Sequence, residues 1–159
     1  NDFERIDVVV DDGRERDSPP FAQVFTGATG SANSGETHSL LIDQNGDVYT
    51  TGNNNKGQLC LGDTEARFIP HKVFFDDDDS PAVAAALGED FTLILLENGR
   101  VYGCGSNAKG ELGLGSEIKS VQIPISDNGL SDVIALSSGL NFSLFLTRNR
   151  KAYATGSNI

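Results

Sequence analysis

The chain has 159 residues, enough for one ordinary domain, and its 18 glycines with no Trp and no Met indicate many turns and short elements. Its formal net charge of −11 disfavours direct nucleic-acid binding, because affinity for a polyanion comes from Lys and Arg that displace counterions. No stretch approaches the roughly 20 apolar residues that cross a bilayer, so we expect a soluble, intracellular chain. Its start at Asn1 rather than Met leaves room for a targeting segment that has been removed.

The first stretch of the chain, residues 1–20, is predicted to be the tail of a preceding repeat unit followed by an acidic loop. Residues 11–17 mix acidic side chains with arginines, and residues 28–35 form a Gly- and Ser-rich insertion, so both segments are interpreted as solvated loops. A later acidic run lacks the ligand spacing of a calcium loop and is interpreted in the same way. These loops are also the candidate partner-binding surfaces, with a basic partner or a divalent cation as the alternative to simple solvation. The later run consists of Asp76, Asp77, Asp78 and Asp79.

Two segments in the middle of the chain repeat each other with a constant spacing of 53 residues. Residues 42–62 read IDQNGDVYTTGNNNKGQLCLG, and residues 96–115 read LENGRVYGCGSNAKGELGLG. Each has an Asn-Gly pair between two extended runs, which predicts a β-hairpin with a type I′ turn, because Asn and Gly best tolerate positive φ. The repeated signature, counted with a third copy, is Asn45, Gly46, Tyr49, Gly52, Gly57, Gly62, Asn98, Gly99, Tyr102, Gly105, Gly110, Gly115, Tyr153 and Gly156.

The third copy lies at residues 141–158 and reads NFSLFLTRNRKAYATGSN. Arg150 stands where the second copy has Gly99, so we expect the third turn to be strained or of another type. With the first 20 residues, this copy suggests a chain that opens at the end of one unit and stops partway through another.

Each hairpin is flanked by two further short segments. AVAAALG and DVIALSSG precede the second and third hairpins, and the Pro-marked segments FIPHKV and VQIPI follow the first and second. The Ala-rich segment has high helix propensity, but its counterpart is β-branched, so both are predicted to be strands. About four strands in a unit of 51 to 54 residues match a propeller blade. We predict an all-β, partial β-propeller of four-stranded antiparallel blades, with repeat 1 at 21–75, repeat 2 at 76–126 and an incomplete repeat 3 at 127–159.

The residue types that can act in catalysis or bind a metal do not form a recognisable site in this sequence. Cys60 and Cys104 occupy different positions in the two copies, so they are predicted to be buried free thiols rather than a disulfide or a zinc site. His38 is expected to bond to backbone inside its blade, and His71 is expected in a connecting loop. No nucleophile elbow or P-loop is present, so no catalytic, cofactor or metal site is predicted. A repeated framework without a catalytic site favours a non-catalytic protein-interaction or scaffolding module within a hetero-complex.

The two full copies, GETHSLLIDQNGDVYTTGNNNKGQLCLG and GEDFTLILLENGRVYGCGSNAKGELGLG, strongly resemble the repeats of the regulator of chromosome condensation family. The resemblance covers roughly residues 20–158. It implies a seven-bladed propeller, of which this chain supplies about two and a half to three blades. It also implies an alternative function, guanine-nucleotide exchange on a small Ran-like GTPase, although no exchange residue of the family is matched here. A glycan-binding secreted propeller is a third alternative.

Overall fold

The computed structural model is built from 13 β-strands, counted over the residues that it describes. Those residues are 7–9, 15–17, 20–27, 37–76, 79–115, 118–126 and 129–157, the first two ranges by backbone alone. Within these ranges no helix has the length and apolar character needed to span a membrane. The strands are β1 (Asp7–Val9), β2 (Glu15–Asp17), β3 (Phe21–Thr26), β4 (His38–Asp43), β5 (Val48–Gly52), β6 (Arg67–Lys72), β7 (Ala82–Leu87), β8 (Phe91–Leu96), β9 (Val101–Ser106), β10 (Ser120–Ile125), β11 (Val133–Ser138), β12 (Phe142–Thr147) and β13 (Ala152–Gly156).

The strands form three sheets, which we call blades 1, 2 and 3. Blade 1 has the order β6-β5-β4-β3, blade 2 the order β10-β9-β8-β7, and the described part of blade 3 the order β11-β12-β13. Consecutive strands within each blade are antiparallel. The predicted all-β fold of antiparallel propeller blades is therefore confirmed, including the strand over the Ala-rich segment.

The β1–β2 hairpin lies at the outer side of blade 1, where β1 pairs in parallel with β6 through Val9 and His71. The predicted acidic loop at 11–17 is thus partly strand, because β2 occupies its last three residues. The rest of that loop and the insertion at 28–35 lie outside the described residues. The assignment of residues 1–20 to a preceding blade stays a prediction.

The hairpin turns differ from the predicted type I′ geometry. In the first turn only the second residue of the Asn-Gly pair has positive φ, 82° at Gly46, and its N–H donates to the carbonyl of Asp43 at 3.1 Å. Gly99 has the same geometry, with φ of 83°. This pattern is that of a longer hairpin connection, in which a turn is followed by one left-handed residue. The type I′ prediction was wrong because it assumed positive φ at both residues of the pair.

The third hairpin keeps this geometry without glycine. Arg150 has φ of 65°, and its N–H donates to the carbonyl of Thr147 at 2.9 Å. The side-chain oxygen of Asn149 accepts from the Thr147 hydroxyl at 2.7 Å. The predicted strain is confirmed, since a left-handed conformation costs an L-residue with a Cβ about 1 kcal/mol.

The core lies between neighbouring blades. All six side chains of β8 are buried, because blade 1 covers one face of this strand and blade 3 covers the other. In β12 burial alternates, and the side chains of Phe142, Leu144 and Leu146 are exposed. One face of blade 3 is therefore uncovered in the described structure.

Hydroxyl groups connect each blade to the loop of the preceding blade. Thr92 donates to the carbonyl of Gln58 at 2.8 Å, and Ser143 donates to the carbonyl of Glu111 at 2.7 Å. All four of these residues are buried. Since the two accepting residues are equivalent in the repeat, the same bond recurs at both interfaces between blades.

Substitution of two glycines tests whether the first turn is held by its contact with the next blade. We expect Gly46→Ala to lower the free energy of unfolding by about 2 kcal/mol, because the left-handed φ is strained and the new Cβ would lie 2.3 Å from the Cβ of Pro81. Gly115→Ala is the matched control, since φ is 80° there but the space is open, and it should cost about 1 kcal/mol. Urea denaturation measures both values. Equal losses would show that the contact with the next blade does not matter.

Candidate functional site

The antiparallel strands give the blades two distinct faces. The hairpin turns at 43–47, 96–100 and 147–151 lie on one face with the connections between blades, and we call it the turn face. The long loop at 53–66 and the described parts of the equivalent loop, 107–115 and 118–119, lie on the opposite face, which we call the loop face.

A groove of about 210 Å³ lies on the turn face, where the first hairpin turn meets the connection from blade 1 to blade 2. We call it the turn-face groove. Backbone bonds close it on both sides: the N–H of Ala82 donates to the carbonyl of Gly46 at 3.0 Å, and the N–H of Val73 donates to that of Val48 at 2.8 Å. It is lined by Asn45, Gly46, Asp47, Val48, Lys72, Val73, Phe74, Phe75, Asp79, Ser80 and Pro81.

The groove combines an exposed aromatic ring with an acidic rim. Phe74 is 53% exposed, and the Lys72 ammonium lies 5.8 Å from the centre of its ring. Lys72 is also paired with Asp47, with Nζ and Oδ2 2.7 Å apart. Asp76 and Asp79, the two described residues of the predicted acidic run, are exposed. Asp79 lines the groove, and Asp76 follows the groove residue Phe75 in the chain. Because Asp47 offsets the Lys72 charge, these two carboxylates leave the rim negative.

Buried polar groups hold the first turn in shape. The carboxylate of Asp43 accepts from the backbone N–H groups of Asn45 and Asp47 at 2.8 and 2.9 Å. Tyr49 lies below the turn with its ring edge-on to Phe21. Burial, and then the charges of Asp47 and Asp43, raise the pKa of Tyr49 to about 12, so its phenol stays protonated. The turn presents a pre-formed wall to the groove.

The predicted signature residues shape the backbone, and two of them, Asn45 and Gly46, line the groove. Tyr49 and Tyr102 are buried, whereas Tyr153 is 41% exposed on the uncovered blade 3. The remaining signature residues lie at the strand ends, in the other turns and on the loop face, and none of them lines the groove. Asn98 in the second turn contacts it indirectly, because its N–H donates to the hydroxyl of the groove residue Ser80 at 3.2 Å. Sequence reasoning missed Asp47, Lys72 and Phe74 as groove residues. It also missed Asp43 as the residue that holds the turn.

The signature glycines at or next to the ends of β5, β9 and β13 are needed for the same structural reason. Gly52, Gly105 and Gly156 have φ of 107°, 95° and 108°. A Cβ at any of them would lie within 2.4 Å of a backbone carbonyl oxygen at the start of the paired strand. Glycine is required at these positions because the backbone of the paired strand approaches closely, and not because a ligand binds there.

His38 makes a different contact from the one predicted. Its Nε2 lies 2.8 Å from Oγ1 of Thr92 in the next blade. Because the Thr92 hydroxyl donates to the carbonyl of Gln58, its oxygen accepts from Nε2–H. Burial lowers the pKa of His38 to about 4, and a backbone bond to Phe91 partly opposes this effect. The imidazole is therefore a neutral link between blades 1 and 2.

Two further sequence predictions were wrong. His71 lies in strand β6 rather than in a connecting loop, and its Nδ1 is 2.9 Å from the carbonyl oxygen of Ile69. Cys60 and Cys104 are not free thiols but form a disulfide, with their Cα atoms 5.4 Å apart. The loop after β5 carries Cys60 across the interface to β9. Two residues at different positions of the repeat are therefore in contact.

The described residues contain no group of three or more His, Cys, Asp or Glu side chains arranged to hold a metal ion. The turn-face groove contains carboxylates, an ammonium group and an aromatic ring. These groups are suited to contact by charge and by apolar packing.

Repeated antiparallel blades joined side by side define the chain as part of a β-propeller. A family model described as the regulator of chromosome condensation (RCC1) repeat matches residues 45–95 and 98–146, and a second model of this repeat matches 31–58 and 82–111. The chain belongs to the regulator of chromosome condensation repeat family.

Several named proteins are similar to this chain. It is 37% identical to the Protein RCC2 homolog of Danio rerio over 121 residues, which is 75% of this chain and 24% of that protein. It is 33% identical to the Secretion-regulating guanine nucleotide exchange factor of Mus musculus over 136 residues, 84% of this chain and 29% of that protein. The chain thus spans about a quarter of the length of these relatives.

Two solved structures share the fold. Human WBSCR16 superposes with a TM-score of 0.74 at 21% identity, over 91% of this chain and 36% of that structure. Prp20p of Saccharomyces cerevisiae superposes with a TM-score of 0.70 at 24% identity, over 77% of this chain and 32% of that structure.

Proposed function

We propose that this chain is a non-catalytic protein-interaction or scaffolding module, and that the turn-face groove binds a basic segment of its partner. The observation that carries this proposal is the half-exposed ring of Phe74 in a groove that Asp79 also lines, with the exposed Asp76 two residues further along the chain. A Lys or Arg side chain can pair with the rim, while a neighbouring apolar side chain packs against the ring. The chain's net charge of −11 also favours a basic partner.

A further observation supports a role in protein recognition. Prp20p, which shares the fold, was solved together with a study of its binding to Gsp1p and histones, and yeast RCC1 was solved bound to Kap60. Those partners belong to those proteins, and they illustrate that the fold serves protein recognition.

A synthetic peptide of alternating Arg and Leu residues tests the groove. We expect D76N/D79N to weaken binding of the fluorescein-labelled peptide about 5-fold, because two exposed ion pairs contribute about 0.5 kcal/mol each. Fluorescence anisotropy at low ionic strength measures the dissociation constants.

The control for this experiment removes two charges from the opposite ends of the strands, one in the loop after β5 and one in the turn between β7 and β8. E65Q/E89Q changes the net charge by the same amount, and neither residue lines the turn-face groove. It should leave the dissociation constant within 2-fold of the unmodified chain. Equal weakening by both double variants would show that net charge, rather than the groove, attracts the peptide.

Guanine-nucleotide exchange on a small Ran-like GTPase is the second candidate function. The name of the murine relative, a secretion-regulating guanine nucleotide exchange factor, favours it. A fluorescent-nucleotide release assay with a Ran-like GTPase separates the two candidates. Acceleration by this chain supports exchange, whereas binding without acceleration supports the interaction module.

A further inference from the structure

The two cysteines occupy positions where the other repeats have different residues. Cys60 corresponds to Gly113 at the repeat spacing of 53 residues, and both adopt left-handed backbone, with φ of 61° and 74°. Cys104 corresponds to Thr51 in the first copy and to Thr155 in the third. The two departures from the repeat meet in one disulfide. The left-handed backbone conformation at position 60 is strained for cysteine but not for glycine. We infer that the disulfide offsets this strain.

The disulfide joins two blades that have no other covalent link besides the main chain in the described structure. Cys60 lies in the loop that follows β5 of blade 1, and Cys104 lies in β9 of blade 2. Both side chains are buried within the core cluster shared by these blades. The bond closes a loop of chain with a sequence separation of 44 residues.

The loop around Cys60 has anchors that do not depend on the disulfide. Oδ1 of Asn54 accepts from the N–H of Leu59 at 2.9 Å, and the Thr50 hydroxyl donates to the Leu59 carbonyl at 2.7 Å. In blade 2, Asn107 makes the equivalent bond to the N–H of Leu112 at 2.9 Å without any cysteine in its loop. We therefore expect the loop to keep its conformation when the cross-link is absent.

An acceptor for the reduced state is already in place. The Sγ atom of Cys104 lies 3.4 Å from the carbonyl oxygen of Gln58. When the sulfur carries a hydrogen, this geometry allows a thiol hydrogen bond, and the same carbonyl continues to accept from Thr92. Both redox states are thus compatible with the same fold.

We propose that Cys60 and Cys104 form a redox-responsive staple that sets the strength of the contact between blades 1 and 2. A dithiol reductant donates two electrons and two protons to the bond, which gives two protein thiols and leaves the reductant as a cyclic disulfide. A disulfide oxidant reverses the step and is itself reduced to thiols. Because both sulfur atoms are buried, exchange requires local opening of the interface and is slow in the native state.

Thermal unfolding with and without dithiothreitol tests the staple. Oxidised protein should expose no thiol to N-ethylmaleimide in denaturant, and dithiothreitol-treated protein should gain two labels by mass spectrometry. We expect reduction to lower the melting temperature by about 10 °C, because it frees the unfolded chain from a cross-link over 44 residues. The far-UV circular dichroism spectrum should keep its β character at 20 °C.

The matched variant takes its residues from the equivalent repeat positions. C60G/C104T carries the residues found at positions 113, 51 and 155, so it should fold, and dithiothreitol should not change its melting temperature. Labelling of two thiols in protein equilibrated with oxidised glutathione would overturn the proposal, and so would an equal melting temperature for the two redox states. Complete unfolding on reduction would also overturn it, because the bond would then be a requirement for the fold.

Discussion

Replacing Phe91 by Ala is expected to lower the free energy of unfolding by about 4 kcal/mol. The side chain is 0% exposed and packs in the cluster between blades 2 and 3, together with Val133 and Phe145. Truncation removes the transfer free energy of the ring and leaves a cavity that rigid strands cannot fill. Urea denaturation followed by circular dichroism measures the loss.

Phe142 provides the matched control, because it occupies the same repeat position in blade 3 and is 42% exposed. Each ring lies over the glycine three residues before it, Gly88 or Gly139, so the local contact is the same. Phe142→Ala should therefore cost only about 1 kcal/mol, the value for partial burial of a ring. Similar losses in both variants would mean that blade 3 adds little to the burial of Phe91.

Lowering the pH from about 6.5 to about 4 is expected to remove about 3 kcal/mol of stability through His38 alone. Burial lowers the folded-state pKa to about 4, whereas the unfolded chain keeps the ordinary value of 6.5. Between these two pH values His38 is protonated in the unfolded chain but not in the folded chain. The free energy of unfolding therefore decreases as the pH falls. Below about pH 4 both states are protonated and the loss is complete.

The His38→Gln variant isolates this contribution, because glutamine can keep a side-chain hydrogen bond but does not titrate. The difference in unfolding free energy between pH 7 and pH 4 should be about 3 kcal/mol smaller than in the unmodified chain. An unchanged pH dependence in His38→Gln would show that His38 titrates normally.

The elements that could be predicted from the sequence are those fixed by local patterns. The strand at Ala82–Leu87 was predicted against its helix propensity, because the equivalent Val133–Ser138 is β-branched and the repeat requires one structure for both. The hairpins were predicted from Asn-Gly between extended runs. Their turn type was not, because it depends on the length of the connection.

The contacts that could not be predicted join residues far apart in the chain. His38 and Thr92 are 54 residues apart, and Cys60 and Cys104 are 44 apart. The repeat spacing in the sequence does not predict which loop contacts which strand of the next blade. The acidic run was recognised from its composition, but Phe74 reaches the groove beside it only through the geometry of the connection between blades.

The hydroxyl bonds from Thr92 and Ser143 give the array a direction. Each blade donates a bond to the loop of the blade before it, and each loop acts as receptor for the blade after it. Both interfaces between described blades thus have the same polarity, with the donor on the later blade and the acceptor on the earlier one. A change at Gln58 therefore alters the joint between blades 1 and 2, and a change at Glu111 alters the joint between blades 2 and 3.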